Sequence, residues 1–531
     1  LLAGLPAVVG LYASILPAVL YALLGTSRTL AVGPVAIIAL MTGAALSGVA
    51  TPGTPEFLQA ALVLSLLSGL MLTAMGLLRL GFFTNFLSHP VIAGFLSASG
   101  LLIAASQIGH LLGLEASGYT ATTLVANLVG QLGQVHWPTL ALGVGTLGFL
   151  LASRRHARGL LRRLGLADAS AALLARAAPV LAVAVTTGLS WQLGLAERGV
   201  AVIGSVPSGL PPLTLPGFDG SLWYALLIPA LLISVVGFVE SISMAQMLAA
   251  RRRQRISPNQ ELVGLGGANL AAAFTAGMPV TGGLSRTVVS DEAGAQTPMA
   301  GLFTALGIGL VTLAFTPLLY HLPIATLAAT ITVAALTLVD LPMIRQTWRY
   351  SRADFSAMAV TILLTLAEGA EAGIISGVLL SVALFLYRTS RPHSAIVGLI
   401  PGSEHFRSVT RHEVETLSHV AFLRIDESLY FANARYLEDT VHELVARRPG
   451  LEHVVLICSA VNLIDASALE SLDAINARLK ESGVTLHLAE VKGPVMDRLK
   501  RSDFLDDITG RVFLSTYAAW QALGASSNPR S

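Results

Sequence analysis

Long apolar stretches separated by short polar loops recur along the chain as far as Arg391. A membrane-spanning helix needs about 17 to 25 predominantly apolar residues. By that measure the pattern predicts uninterrupted spans near residues 7–24, 57–78, 91–112, 138–153, 174–195, 222–248, 259–275, 298–319, 324–341, 355–369 and 371–388. The pattern is typical of a polytopic α-helical membrane protein.

Two further apolar segments are interrupted by glycine and proline. The first is broken at Gly33 and Pro34, and the second at Gly282 and Gly283. Both breaks precede short apolar segments, which extend to about residues 47 and 296. Broken helices at corresponding places in two halves of a chain are typical of a transporter's substrate site.

The two interrupted segments raise the predicted number of spans from eleven to thirteen, which is an odd number. Leu1 reads as the tail of a helix already in progress, so we expect that one span precedes it. Fourteen spans would divide into two groups of seven, with each broken segment third in its group. The two breaks would then occupy corresponding positions.

The arginines of the loops give an independent test of this span count, because cytoplasmic loops carry an excess of basic residues. Alternate loops hold Arg28, Arg79, Arg154, Arg155, Arg158, Arg162, Arg163, Arg251, Arg252, Arg253, Arg255, Arg345, Arg349, Arg352, Arg388 and Arg391. The opposite loops hold almost none, with Arg198 as the exception. This asymmetry supports the predicted spans and predicts a cytoplasmic C-terminus.

The composition supports membrane insertion and excludes several functions. Only 12% of the residues are charged and 54% are hydrophobic, against roughly 25% charged residues in soluble domains. The single cysteine, Cys458, rules out an internal disulfide framework and argues for a small buried side chain. No hydrolytic triad, Walker loop, metal cluster or nucleic-acid-binding pattern is visible, so we predict neither an enzyme nor a cofactor.

The composition changes after Arg391, where charged residues become frequent. We predict a transmembrane domain over 1–391, a linker over 392–408 and a soluble domain over 409–531. Strands are predicted at 420–425, 453–458 and 485–490, alternating with helices at 434–447, 466–482 and 494–501. Such alternation is typical of an α/β domain.

Glu240 is the first candidate functional residue within the membrane. It precedes Arg251 by eleven residues, which at 1.5 Å per residue is about 16 Å from the arginine-rich boundary and near the midplane of a core roughly 30 Å thick. A carboxylate there is costly and indicates function. Gly237 and Ser243 share its helix face. The alternative is a protonated or hydrogen-bonded structural glutamate.

The second broken segment supplies Arg286. A half-helix beginning near Leu284 and another beginning near Pro34 would both point free N–H groups and positive dipole ends into the membrane. Two facing ends of this kind predict an anion site, which Arg286 would strengthen. The alternatives for Arg286 are a counter-charge to Glu240 or a side chain that extends to the cytoplasm. The predicted substrate-binding residues are Gly33, Pro34, Val35, Gly283, Leu284, Ser285 and Arg286.

Several motifs resemble the sulfate permease (SulP) family of anion transporters. In the membrane part these motifs are residues 4–37, FVESISMAQ (238–246), NQELVGLGGANL (259–270) and PVTGGLSRTVV (279–289). In the soluble part, residues 423–441 and 454–472 are similar to the STAS domain that follows the membrane domain in this family. The resemblance covers essentially the whole chain.

The resemblance implies fourteen spans in two inverted seven-span repeats, divided into core and gate domains, in a homodimer of the cell membrane with a cytoplasmic STAS domain. It implies a small anion as substrate, such as sulfate, bicarbonate or a dicarboxylate, and a bacterial inner-membrane symporter. Glu240, with Ser243, matches the acidic position associated with coupling to H⁺ or Na⁺. Ser285 and Arg286 match the substrate-facing pair.

Two departures from the family pattern affect these expectations. The first span, which lines the site in the family, is absent from this chain. The STAS loop that reads Asp-Ser-Ser-Gly in bacterial anti-sigma-factor antagonists is Asp465-Ala466-Ser467-Ala468 here. Ser467 is therefore the remaining candidate phosphoacceptor, and a helix N-cap or a role in folding is the alternative for this position. A cytoplasmic protein partner at the STAS domain is a further expectation.

The leading hypothesis is a secondary active anion transporter that works by alternating access. A passive anion channel or an exchanger of the same fold would need the same cavity without coupling to an ion gradient. A membrane-anchored regulator predicts a site without charge, against which Glu240 and Arg286 argue. A uracil-type permease of the same fold would need no arginine and would lack the STAS domain.

Overall fold

The computed structural model describes residues 2–82, 88–114, 118, 120–165, 167–205, 207–283, 286–287, 290–291 and 294–525. The chain forms two compact units, Leu1–Ser381 and Val382–Ser531. The first is built almost entirely from helices, and the second combines helices with a sheet.

The helices of the membrane part follow the apolar stretches of the sequence. They are α1 (Ala7–Tyr12), α2 (Leu16–Leu24), α3 (Ala36–Ser47), α4 (Pro55–Leu77), α5 (His89–Leu112), α6 (Ala121–Gln131), α7 (Trp137–Ala152), α8 (Arg158–Arg163), α9 (Asp168–Arg176), α10 (Ala178–Gln192), α11 (Gly220–Arg251), α12 (Pro258–Phe274), α13 (Met299–Ala314), α14 (Ile324–Ala335), α15 (Leu341–Tyr350), α16 (Arg352–Glu368) and α17 (Ala370–Ser390). Each predicted uninterrupted span coincides with one of these helices or with a consecutive pair. Within the described residues, six helical stretches are long and apolar enough to cross a membrane.

Glycines allow helices α4 and α12 to pack with their backbones in contact. A Cβ atom on Gly69 would lie 2.8 Å from the backbone nitrogen of Leu270, and one on Gly266 would lie 2.7 Å from the nitrogen of Thr73. Small residues permit this close approach in membranes, where helices associate through van der Waals packing. The packing fixes α12, which in turn holds both broken segments.

The second unit contains a six-stranded sheet. Its strands are β3 (Ser394–Leu399), β4 (Phe406–Ser408), β5 (Val420–Ile425), β6 (His453–Ile457), β7 (Thr485–Ala489) and β8 (Val512–Phe513). Their order across the sheet is β4-β3-β5-β6-β7-β8. Strands β5 to β8 are parallel, while β3 and β4 are antiparallel to their neighbours. The helices are α18 (Ala434–Ala446), α19 (Ala466–Glu481), α20 (Gly493–Leu499), α21 (Phe504–Asp507) and α22 (Thr516–Gly524).

Both faces of this sheet are covered by helices. Ala421 and Leu423 of β5 pack in a core with α18 and α19, whereas Val420 and Phe422 pack in a second core with α22. Strands buried on both faces read as continuous apolar runs, which is why VAFLRI was recognisable in the sequence. The three predicted strands and three predicted helices of this domain are all confirmed to within one residue or two.

The predicted linker over 392–408 is wrong. Residues 394–399 form β3, which pairs with β5, and residues 406–408 form β4 at the edge of the sheet. Val397 and Leu399 are buried, so this short run contributes to the core of the domain. Only Arg391 to His393 separate the end of α17 from β3.

Candidate functional site

The two broken segments meet in a short antiparallel ladder. Strand β1 (Val32–Gly33) pairs with β2 (Thr281–Gly282), so that Val32 lies opposite Gly282 and Gly33 lies opposite Thr281. The backbone N–H of Gly283 extends the ladder by donating to the carbonyl of Ala31 at 3.1 Å. The two breaks therefore face each other, as the half-helix hypothesis requires.

Each strand of the ladder leads directly into a helix. Helix α3 begins at Ala36 after Val35, whose backbone is extended. On the other side, residues 286–287 and 290–291 are helical, and the N–H of Thr287 donates to the carbonyl of Gly283 at 3.0 Å. The γ-carbon of Val35 would lie 3.1 Å from a Cβ on Gly283. Two helix N-termini thus adjoin one ladder, and their unsatisfied N–H groups favour an anion.

The guanidinium group of Arg286 lies against the α-carbon of Gly33. A Cβ atom on Gly33 would overlap with Nη1 of Arg286 and would lie 3.6 Å from Oγ of Ser14. The arginine is nevertheless exposed on its other side. No described residue forms an ion pair or hydrogen bond with its guanidinium, so a direct ion pair with Glu240 is not observed.

A cavity of about 830 Å³ adjoins the ladder. Two cations, Arg286 and Arg28, line it together with the backbone segment 29–32 and Ser290. Its other walls are mainly small or apolar residues from α2, the segment 294–298 and α13, and no acidic residue is among its described lining. The electrostatic character of this cavity favours a negatively charged ligand.

Helix α11 is hydrogen-bonded to β2, the strand of the ladder that precedes Arg286 in the chain. Oγ1 of Thr281 donates to the carbonyl of Gly237 at 2.6 Å, and Oγ of Ser241 accepts from the N–H of Gly282 at 2.8 Å. A Cβ on Gly237 would lie only 3.0 Å from Oγ1 of Thr281. The helix that carries Glu240 is therefore held directly against β2.

Glu240 itself has one orphaned oxygen. Its Oε2 is buried and has no hydrogen-bond partner among the described residues. Ser243 is exposed and neither bonds to Glu240 nor lines the cavity.

Of the predicted substrate-binding residues, the structure brings Gly33, Val35, Gly283 and Arg286 together at the ladder, with Pro34 between the first two. Leu284 and Ser285 lie outside the described residues.

Two polar residues of α12 hold the segments that enter the ladder, and sequence reasoning missed their role. Glu261, in the first turn of α12, is fully buried. It accepts hydrogen bonds from Oη of Tyr21 at 2.6 Å and from the N–H groups of Thr26 and Ser27 at 2.6 and 2.9 Å. Asn269 accepts from the N–H of Val280 and donates to its carbonyl, both at 2.9 Å. The signal in the sequence for both residues was a polar side chain within a predicted membrane-spanning helix.

A third contact joins the segments of Glu240 and Arg286. Nη2 of Arg252, which follows α11, lies 2.5 Å from Oδ1 of Asp291 and donates to the carbonyl of Asp291 at 3.1 Å. Asp291 therefore lies beside the arginine-rich end of α11. Among the described residues, Thr287 adds a further link by accepting from the N–H of Ala31 at 3.1 Å.

The predicted regulatory position lies in the second unit. The N-cap of α19 is Asp465, whose carboxylate accepts from the N–H of Ala468 and also from that of Phe431, both at 2.9 Å. Ser467 is exposed in the first turn and is not the N-cap. Cys458 is buried as predicted, and burial raises the pKa of its thiol to about 12.

Residues 1–361 match the family model described as the sulfate permease family, and residues 411–519 match the model of the STAS domain. The chain belongs to the sulfate permease family. This membership confirms the resemblance of the sequence motifs. It also confirms a multi-pass membrane protein with a C-terminal STAS domain.

Relatives of this sulfate permease family member occur in plants and bacteria. It is 33% identical to the chloroplastic sulfate transporter 4.1 of Arabidopsis thaliana over 95% of this chain and 74% of that protein. It is also 33% identical to a probable sulfate transporter of Mycobacterium tuberculosis over 98% of this chain and 90% of that protein. These relatives are transporters, which confirms the prediction that the chain is not an enzyme.

Solved structures show the same fold. The anion transporter murine Solute Carrier 26 family member A9, in the inward-facing state, matches with a TM-score of 0.86 and 22% identity, over 99% of this chain and 88% of that one. The transmembrane domain of a cyanobacterium bicarbonate transporter matches with a TM-score of 0.59 and 23% identity, over 71% of this chain and 91% of that domain. The predicted fold class of a helical transporter with a STAS domain is confirmed.

Proposed function

We propose that this sulfate permease family member carries sulfate, or a small anion of similar charge, across the membrane by alternating access. The contact between Arg286 and Gly33 carries this proposal. It places a guanidinium without an acidic partner among the described residues beside the ladder where two helices begin. The relatives named as sulfate transporters make sulfate the first anion to test, and bicarbonate and dicarboxylates follow.

The anion is held by three sources of positive potential. Arg286 supplies a full charge and planar donors that suit an oxyanion. The N-terminus of α3 and the start of the helical residues 286–287 each supply roughly half a charge. Arg28 lines the same cavity and raises the local concentration of anions.

Glu240 takes the coupling ion in this proposal. Its helix is bonded to β2, so a change in the charge of its carboxyl acts on the same ladder that holds the anion. The orphaned Oε2 supports a carboxyl that gains a proton or a sodium ion during the cycle. An uncoupled channel or an exchanger is the second candidate, because the cavity and Arg286 would serve it equally.

Uptake into proteoliposomes tests the proposal and separates it from the second candidate. Labelled sulfate, bicarbonate and a dicarboxylate are offered with an inward proton gradient, with an inward sodium gradient, and with no gradient. A coupled carrier concentrates its substrate with one of the gradients, and Glu240→Gln abolishes this accumulation while retaining exchange. Accumulation by the Glu240→Gln variant as strong as that of the wild type would contradict the role of Glu240.

The homodimer and a protein partner at the STAS domain remain predictions that follow from the family resemblance.

A further inference from the structure

A second cavity, which shares no lining residue with the first, lies between α7, α10 and α14. It has a volume of about 390 Å³ and is lined mainly by small or apolar side chains, among them Leu150, Pro179, Val333 and Ala334. Leu150 is buried and joins this groove to a compact core that includes Leu111 and Ala328. The groove therefore has an apolar floor that is packed against this core.

The surroundings of the groove are apolar and exposed. On α10, Val180 is 71% exposed and Leu181 is 54% exposed, while on α7 Phe149 and Leu151 are 40% and 46% exposed. In a protein with several membrane spans, exposed apolar side chains of this kind contact lipid or a neighbouring apolar surface. In the sequence they lie within two positions of Leu150 or Pro179, which line the groove.

One end of the groove is strongly basic. Arg154 and Arg158 line it, and the segment 153–168 carries five arginines but only one acidic residue, Asp168. Asp168 lies 2.6 Å from Nη2 of Arg158 and 3.4 Å from Nε of Arg162. Arg154 is exposed and has no acidic partner in the described part of the chain.

The backbone at this end departs from a regular α-helix. Residues Ser153–Ala157 form a π-helical turn directly after α7, and such turns occur frequently at functional sites. The extra residue in the turn changes the direction of the side chains that follow it, and Arg154 belongs to this turn. The same turn joins the apolar wall at Leu150 to the basic end at Arg158.

We propose that this groove binds one acyl chain of an anionic phospholipid, whose phosphate is held by Arg154 and Arg158. Basic pockets between membrane helices at the cytoplasmic side have the chemistry that binds anionic headgroups. A groove that is apolar along its length and basic at its predicted cytoplasmic end matches both parts of such a lipid. The charge complementarity favours a lipid over a second copy of the chain, whose contact would have to cover Arg154, which has no acidic partner in the described part of the chain.

The full-length protein in detergent is titrated with phosphatidylglycerol and phosphatidylcholine of identical acyl chains, and bound lipid is counted by native mass spectrometry. We expect phosphatidylglycerol to bind preferentially. Replacing both Arg154 and Arg158 by glutamine should weaken its binding roughly tenfold or more, because charge-assisted hydrogen bonds are lost. Arg255→Ala removes an exposed charge away from the groove and should leave lipid binding unchanged.

Two further variants separate the acyl groove from a simple charged surface. Ala334→Leu places a larger side chain in the groove and should weaken binding without a change of charge; Thr337→Leu serves the same purpose if the first variant does not fold. Asp168→Asn frees Arg158 from its ion pair and should strengthen binding, which a merely structural role of these arginines would not produce.

The proposal is overturned if phosphatidylcholine binds as well as phosphatidylglycerol, or if the groove-filling variants retain all their lipid. Inorganic phosphate is included as a competitor, and complete competition at equal concentration would indicate a free-anion site in place of a lipid site. A change of oligomeric state in Ala334→Leu with unaltered lipid binding would show that a second copy covers the groove.

Discussion

Replacing Gly33 by alanine should disable the proposed anion site through Arg286. The added methyl group would overlap with Nη1 of Arg286, so the guanidinium must move away from the ladder. Gly33 has no positive φ angle, which means that the substitution does not strain the backbone and acts through the arginine. A hydrogen bond to a charged group contributes about 1.5 to 3 kcal/mol, so displacing it should weaken anion affinity roughly 10- to 100-fold.

The assay is the concentration dependence of sulfate uptake into proteoliposomes. Gly33→Ala should raise KM by that factor. Gly145→Ala is the matched control, since a Cβ on Gly145 meets no atom within 4 Å. Gly283→Ala should have an intermediate effect, because its Cβ would lie 3.1 Å from the side chain of Val35. An unchanged KM in Gly33→Ala, at normal protein levels, would refute the assignment of Arg286 to the anion.

Three further predictions concern stability and pH. Glu261→Ala removes the acceptor of the Tyr21 hydroxyl and of the N–H groups of Thr26 and Ser27. It should destabilise the membrane unit by at least about 3 kcal/mol, as measured by thermal unfolding in detergent, with Glu56→Ala, at an exposed position, as the control. Asp465→Ala should destabilise the STAS domain by about 1 kcal/mol, whereas Ser467→Ala should change its stability by less than about 0.5 kcal/mol. Chemical denaturation measures both, and equal effects of the two substitutions would contradict the capping role of Asp465. Burial lowers the pKa of His487 to about 4, below its usual value of about 6.5, and its Nδ1 accepts from the N–H of Arg511. The folded state therefore favours the neutral imidazole. Its contribution to the free energy of unfolding is complete above pH 6.5 and is lost as the pH falls toward 4, by about 3 kcal/mol at most. His487→Gln should make the free energy of unfolding less dependent on pH in this range, and an unchanged pH dependence would contradict the role of His487.

The membrane helices could be predicted because a span must be long, apolar and bounded by polar loops. The breaks at Gly33 and Gly282 were also visible, since these residues interrupt otherwise apolar runs. The ladder between them could not be predicted in detail, because its register depends on Ser241, Glu261 and Asn269 of two other helices. Glu240 on α11 indicated function from its position in an apolar stretch, but the sequence does not state which backbone groups the other polar residues of α11 and α12 bind.

The STAS domain shows the same limit at its beginning. The strands β5, β6 and β7 are continuous apolar runs between helices and were predicted almost residue for residue. The run 394–399 is equally short, but it follows a membrane helix with only three residues between, so its composition resembled a linker. Its assignment to the sheet depends on pairing with β5, which is a tertiary contact.

The most direct test of the central claim is sulfate binding and uptake by Arg286→Ala compared with Arg255→Ala. Both variants lose one arginine, but only Arg286 lies at the ladder. The proposed site predicts that Arg286→Ala weakens sulfate affinity at least roughly tenfold, while Arg255→Ala retains the affinity of the wild type. Wild-type affinity and uptake in Arg286→Ala would contradict an anion site at the junction of the two broken segments.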